Sequence, residues 1–185
     1  MKKFVMGLTY LRMFLAPIII LPFIIENYFF VSIILFLVAS ITDFFDGFLA
    51  RKFNSESKLG ASLDPIADKI LIVFLLIGIS VHTADIFVGV CSSFIIAREI
   101  FVAGIREAEA ASFTKNLEVT FFAKLKTTFQ FVTVLIYLVG FSYDNALLIF
   151  LGSWALFLTM LITLKTGLEY FYKFLSTDLR YENSK

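Results

Sequence analysis

Residues 43–68 read DFFDGFLARKFNSESKLGASLDPIAD, and the four aspartates of that stretch decide how the chain is read. Asp43, Asp46, Gly47 and Ala50 stand at i, i+3, i+4 and i+7, the spacing of a single helical face. Two carboxylates one turn apart are followed there by two small residues that leave room for something to approach the backbone. Asp64 and Asp68, at i and i+4, share one face of a second helix. No charge interrupts the chain from Asn27 to Thr42 before the first pair, or from Ile70 to Ala84 after the second. A helix needs about 20 mostly apolar residues to cross a bilayer. Both runs are too short alone, so the aspartates themselves must complete them.

The rest of the chain agrees with a bilayer as solvent. Of 185 residues, 59% are hydrophobic and 17% aromatic, with 24 Phe, and the mean hydropathy is +0.90. Soluble globular domains hold roughly 45–50% apolar residues, so a disordered chain, a disulfide scaffold and most soluble enzymes are excluded. With 16 Lys+Arg against 15 Asp+Glu, bulk charge gives no basis for nucleic-acid binding. Cys91 is the single cysteine and has no partner for an internal disulfide. Reading for spans predicts an all-α integral membrane protein with six transmembrane helices: Leu8–Ile25, Tyr28–Phe45, Asp64–Val81, Ile86–Ile105, Thr120–Phe141 and Asn145–Leu164. Residues 1–175 form one domain on this reading, and 176–185 a polar cytoplasmic tail.

Orientation follows from the basic residues. All 16 fall on one side of that arrangement, while the three short opposite loops hold only the acids Glu26, Asp85 and Asp144. The excess of Lys and Arg marks the cytoplasmic side, which places both termini and the aspartates there. Leu8–Ile25 leads straight into a second span without an Ala-x-Ala-like site, so a cleaved signal peptide is not expected.

Charged groups at membrane depth cost up to about 2.5–3.5 kcal/mol each unless they meet a wet cavity or a partner. Lysine and arginine can snorkel to the headgroups; aspartate is too short. Two facing helices would gather the four carboxylates around one point, and unneutralised they could not share a low-dielectric pocket. Divalent cations would neutralise them, and an all-oxygen set suits Mg²⁺ or Mn²⁺ rather than Zn²⁺. His82 and Cys91, the candidates for a zinc site, lie toward the other side. Metal beside Arg98, Arg106, Lys124 and Lys126 points to phosphate chemistry, with two metals able to stabilise the attacking and leaving oxygens of a displacement at phosphorus. The basic residues could hold a second phosphate, and the lipid-facing position suits a lipid substrate.

The spacing Asp43-x2-Asp46-Gly47-x2-Ala50-Arg51-x8-Gly60-x3-Asp64-x3-Asp68 resembles the signature of the CDP-alcohol phosphatidyltransferase family, with every interval intact. The flanks TDFFDGFLAR (42–51), LDPIADK (63–69), AREIFVAGIR (97–106) and KLKTTFQ (124–130), with Leu8–Arg12 and Pro17, are similar to one branch, the bacterial phosphatidylglycerophosphate synthases. Met6-Gly7 departs from the polar pair that the family commonly carries there. The resemblance implies a six-helix membrane fold, typically homodimeric, in the inner (cytoplasmic) membrane. It implies transfer of a phosphatidyl group from CDP-diacylglycerol to sn-glycerol 3-phosphate, with release of CMP. Carried over by position, Asp43, Asp46, Asp64 and Asp68 would bind metal, and Asp68 would also be the general base. Asp46, Gly47, Ala50, Arg51 and Gly60 resemble the part that grips the cytidine diphosphate, Gly60 by permitting the bend between the two helices. Arg106, Lys124 and Lys126, with Arg98 behind them, are the candidates for the acceptor phosphate. For Arg98, pairing with Glu99 or with a pocket carboxylate is an equal alternative, and Arg12 reads either as part of the pocket or as an interfacial residue.

Two other readings stand beside this one. A cardiolipin synthase of the same family would take phosphatidylglycerol as acceptor and want a wider, lipid-open pocket. A cation carrier would place acids near the midplane on broken helices, often in internal repeats; here they stand at one end and no repeat is visible.

Overall fold

A computed structural model gives the backbone over 2–25, 28–52, 58–111 and 121–182, and side chains over 7, 10–23, 25, 28–42, 66–67, 69–107 and 126–176. The described chain is helical throughout, without strands: α1 (Lys2–Ile18), α2 (Leu21–Ile24), α3 (Phe29–Lys52), α4 (Lys58–Thr83), α5 (Ile86–Ala111), α6 (Phe121–Ser142) and α7 (Ala146–Glu182).

Each boundary has a local cause. The stretch expected as one span, Leu8–Ile25, is broken after Ile18, because Pro22 has no N–H to give the Ile18 carbonyl and its ring crowds the preceding turn. The chain tightens instead, with Phe23 N–H donating to Ile20 O at 3.0 Å. Between α4 and α5, Ala84 takes a left-handed conformation (φ 50°), and Asp85 Oδ1 accepts the Phe87 N–H at 2.8 Å, capping α5. Asp144 is left-handed after α6 (φ 47°). Asn145 Oδ1 then caps α7 by accepting from Leu147 N–H at 3.0 Å and Leu148 N–H at 3.2 Å.

The helices close into a ring: α1 packs on α3 and α4, α4 on α5, α5 on α7, α7 on α6, and α6 back on α3. Over the described residues α1 therefore lies against both aspartate-bearing helices, where the sequence suggested that these two face each other directly. Its inward face carries Arg12 and Ala16, and Ile19 just after its end is buried as well. Arg12 is 1% exposed, so its reading as an interfacial residue gives way to one inside the bundle. The core runs through Phe36, Leu75, Ile79, Ile95, Val134, Leu138 and Leu156. At the end of the short connections, Phe29 and Phe141 each meet His82 edge to face, both Phe rings 4.7 Å from the imidazole.

The molecule is turned inside out relative to a soluble protein. Phe14, Phe30, Ile86, Ile100 and Leu147 stand outward, Ile86 85% exposed, whereas Arg98, Glu99, Gln130 and Thr163 are buried. Among the described residues, Ile86–Glu107 and Ala146–Ser176 are long and apolar enough to cross a bilayer, and Tyr10–Phe23, Phe29–Thr42, Lys69–Thr83 and Lys126–Ser142 are the apolar stretches of the remaining helices whose side chains are described. This is the surface of a helical membrane protein. Two pairs of hydroxyls tie α6 to α7 inside it, Thr133 to Thr159 at 2.9 Å and Tyr137 to Ser153 at 3.0 Å. The helix that carries the expected span Asn145–Leu164 continues beyond it to Glu182. At 1.5 Å per residue α7 is roughly 55 Å long against a hydrocarbon core of about 30 Å.

Candidate active site

The backbone sets one layer of the bundle apart. The short connections at 84–85 and 143–145 and the start of α3 all stand at one end, around a cavity of about 600 Å³ lined by Phe30, His82, Asp85, Asp144 and Ser153 among others. Measured inward from that end, Asp43 on α3, Asp68 on α4, Glu99 on α5 and Lys126 on α6 each lie about 13 to 16 residues along their helices. At 1.5 Å per residue that is a common depth of roughly 20–24 Å. Helix lengths alone thus bring the acidic motif and the basic patches to one level, remote from the cavity at the other end.

Asp43, Asp46, Gly47, Ala50 and Arg51 belong to α3, Gly60, Asp64 and Asp68 to α4, and Lys124 to α6. Their side chains lie outside the described residues, as does the connection 53–57. Gly60 falls in the first turn of α4, a helical conformation open to any residue. The bend expected at Gly60 is therefore not found at that residue.

The described part of the layer is a buried polar network on three helices. Glu99 Oε1 accepts from Arg98 Nη1 at 3.2 Å and from Gln130 Nε2 at 3.3 Å, and is ion-paired to Lys126 Nζ. Arg98 turns its other donors to α7: Nε to the Thr163 carbonyl at 2.9 Å and Nη2 to Thr166 Oγ1 at 3.0 Å. Arg98, Glu99, Lys126 and Gln130 are all buried. Gly167 makes room for this, since a Cβ there would come within 2.8 Å of Arg98 Cγ. Two turns beyond Arg98, Arg106 is exposed. Its Nη2 donates to Tyr170 OH at 3.0 Å and its guanidinium lies 5.1 Å from the centre of the Tyr170 ring.

Two cations share one carboxylate here, so each has an anionic neighbour, which lowers the cost of burying it, while the three groups together keep a net charge of +1. Arg98 thus takes the Glu99 pairing that the sequence left open, with all three of its nitrogens engaged. Lys126 is held in the same layer as the aspartates. Sequence reading did not find Gln130, Thr163, Thr166, Gly167 or Tyr170 as parts of this network. The short-range signal was there for Gln130, one turn after Lys126. For the α7 residues there was none, because their partners lie more than sixty positions away.

A family model described as CDP-alcohol phosphatidyltransferase matches residues 6–165. The chain belongs to the CDP-alcohol phosphatidyltransferase family. It is 36% identical over 168 residues to the CDP-diacylglycerol–glycerol-3-phosphate 3-phosphatidyltransferase of Wigglesworthia glossinidia brevipalpis, covering 89% of this chain and 91% of that one. It is 36% identical over 180 residues to the protein of the same name from Blochmanniella floridana, covering 96% and 93%. The protein of that name from Escherichia coli K12 is 37% identical over 131 residues, covering 69% and 71%.

The donor set fits the divalent cation on which CDP-alcohol phosphatidyltransferases generally depend. Four carboxylates at i, i+3 and i, i+4 on two helices offer hard oxygen ligands, and the backbone holds Asp43 and Asp68 at one depth. The side chains of these four lie outside the described residues, among which no group of three or more His, Cys, Asp or Glu could hold a metal ion. Of the residues that match the family model, Thr163 closes the network from α7, whereas Thr166, Gly167 and Tyr170 lie beyond its last matched position.

Proposed function

We propose that this chain transfers a phosphatidyl group from CDP-diacylglycerol to sn-glycerol 3-phosphate, giving phosphatidylglycerophosphate and CMP. The observation that carries the reading is the likeness, over about nine-tenths of both chains, to proteins bearing that activity in their names. A buried lysine and arginine at the depth of the aspartate motif support it, because an acceptor that is itself a phosphate monoester needs cations there.

Asp43, Asp46, Asp64 and Asp68 would hold the metal, Mg²⁺ or Mn²⁺, and two ions suit four carboxylates. When bound, the metal supplies charge neutralisation at the transferring phosphate and lowers the pKa of the acceptor hydroxyl. Asp46, Gly47, Ala50 and Arg51 grip the cytidine diphosphate, the small side chains letting it lie against α3. The acceptor's primary hydroxyl attacks the phosphorus that carries the diacylglycerol, its proton passes to Asp68, and the bond to CMP breaks. Arg106, Lys124 and Lys126 orient the acceptor phosphate, with Arg98 behind them bracing the network.

The same reading gives six spans, with the shorter apolar runs crossing through their charged ends. Both termini and the active site face the cytoplasm, and the protein sits as a homodimer in the inner membrane. Product analysis by mass spectrometry tests the reaction. Purified protein in detergent with both substrates should form phosphatidylglycerophosphate, and EDTA should abolish it. A product that forms equally with EDTA present would remove the metal from the account.

A further inference from the structure

The ion cluster sets two cations on one carboxylate and so keeps a net positive charge. Glu99 uses a single oxygen to receive Lys126 and Gln130 from α6 and Arg98 from its own helix. Arg98 is in turn fixed on α7, by the Thr163 carbonyl and by Thr166 Oγ1, which itself donates to that same carbonyl at 2.9 Å. The stem of Arg98 lies in a notch that exists because residue 167 has no side chain; a Cβ there would stand 2.8 Å from Cγ and 3.1 Å from Nε. Three helices are therefore joined through Glu99 and Arg98.

Apolar side chains of the same volume could fill such a site at no loss of stability. A lysine on a flexible stem also makes a poor anion ligand unless something fixes its ammonium. Glu99 supplies that constraint at the depth of the aspartate motif. A phosphate arriving beside Lys126 would meet an ammonium already held in place.

We propose that Glu99 is the positioning residue of the acceptor-phosphate site: anchored through Arg98 to the α7 notch at Gly167, it fixes the Lys126 ammonium where the acceptor's phosphate is received. This rests on the reading of the chain as a transferase to glycerol 3-phosphate.

The test is steady-state CMP release by the full-length protein in detergent, varying glycerol 3-phosphate and CDP-diacylglycerol separately. Glu99→Gln should raise KM for glycerol 3-phosphate by about 10–100-fold, the range for losing a residue that orients a ligand-binding group. KM for CDP-diacylglycerol should stay within about twofold. Glu99→Asp should recover part of the loss. Combined with Lys126→Ala, Glu99→Gln should add little, because both act on one ammonium. Thr166→Val changes one hydroxyl at constant shape and serves as the second variant should Glu99→Gln fail to fold; it should raise the same KM by about threefold.

Equal changes in both KM values, a loss in kcat alone, or additivity with Lys126→Ala would make Glu99 merely structural and overturn the proposal. An unchanged KM for glycerol 3-phosphate in Thr166→Val would remove the α7 anchor. Wild-type protein inactive with glycerol 3-phosphate would overturn the functional reading itself. Activity without a KM split in the variants would overturn only the positioning role.

Discussion

A carboxylate and a lysine carry the sharpest expectations at the scale of single residues. Asp68→Asn keeps the shape of the side chain and removes its charge and basicity; turnover should fall by at least about 100-fold, the contribution of a positioned base. A rate within a few fold of wild type would assign the proton to another group. Lys126→Ala should raise KM for glycerol 3-phosphate by at least about tenfold while KM for the lipid donor stays within twofold, and equal shifts would place Lys126 outside the acceptor site. The aspartates were legible in the sequence because their signal is local, two pairs each on one helical turn. The Glu99 network was only half legible. Arg98 and Glu99 are adjacent, but the Thr163 and Thr166 partners are 65 and 68 positions away, and no local pattern announces which hydroxyl on a distant helix receives an arginine.

Helix boundaries show the same division. Pro17 and Pro22 punctuate the first apolar run, and the break after Ile18 follows from Pro22. The full length of α7 is not legible from hydropathy, because Lys165, Glu169 and Lys173 end the apolar run while helix propensity carries on to Glu182. Contact between elements was also invisible beforehand. Gly152 lets α7 lie on the Tyr137 ring of α6, where a Cβ would meet ring carbons at 3.2 Å. Gly152→Val should therefore push these helices apart and cost about 1–3 kcal/mol, read as earlier thermal inactivation in detergent with the ratio of the two KM values unchanged. An unaltered thermal profile would mean that the α6–α7 contact yields without cost.

For the molecule as a whole, the sequence told the class through an inside-out composition, and the structure displays it as outward Phe and Ile around buried Arg, Glu and Thr. The number of crossings is a finer matter, since the uncharged runs 27–42 and 70–84 are too short to cross without the charged residues beside them. Cysteine labelling in intact cells tests the arrangement, helped by the burial of the native Cys91. Asp144→Cys should react with a membrane-impermeant maleimide from outside, and Ser176→Cys only after the cells are opened. The reverse pattern would invert the topology and put the aspartate layer on the outer side.

The central claim is the identity of the acceptor, and CMP release tests it most directly. Purified protein with CDP-diacylglycerol and Mg²⁺ would be given glycerol 3-phosphate, phosphatidylglycerol, serine or inositol phosphate in turn, each with and without EDTA. EDTA-sensitive release with glycerol 3-phosphate alone is the predicted result. Release with phosphatidylglycerol instead would keep the aspartate centre and contradict the assignment of Lys126 and its neighbours to a small phosphorylated acceptor.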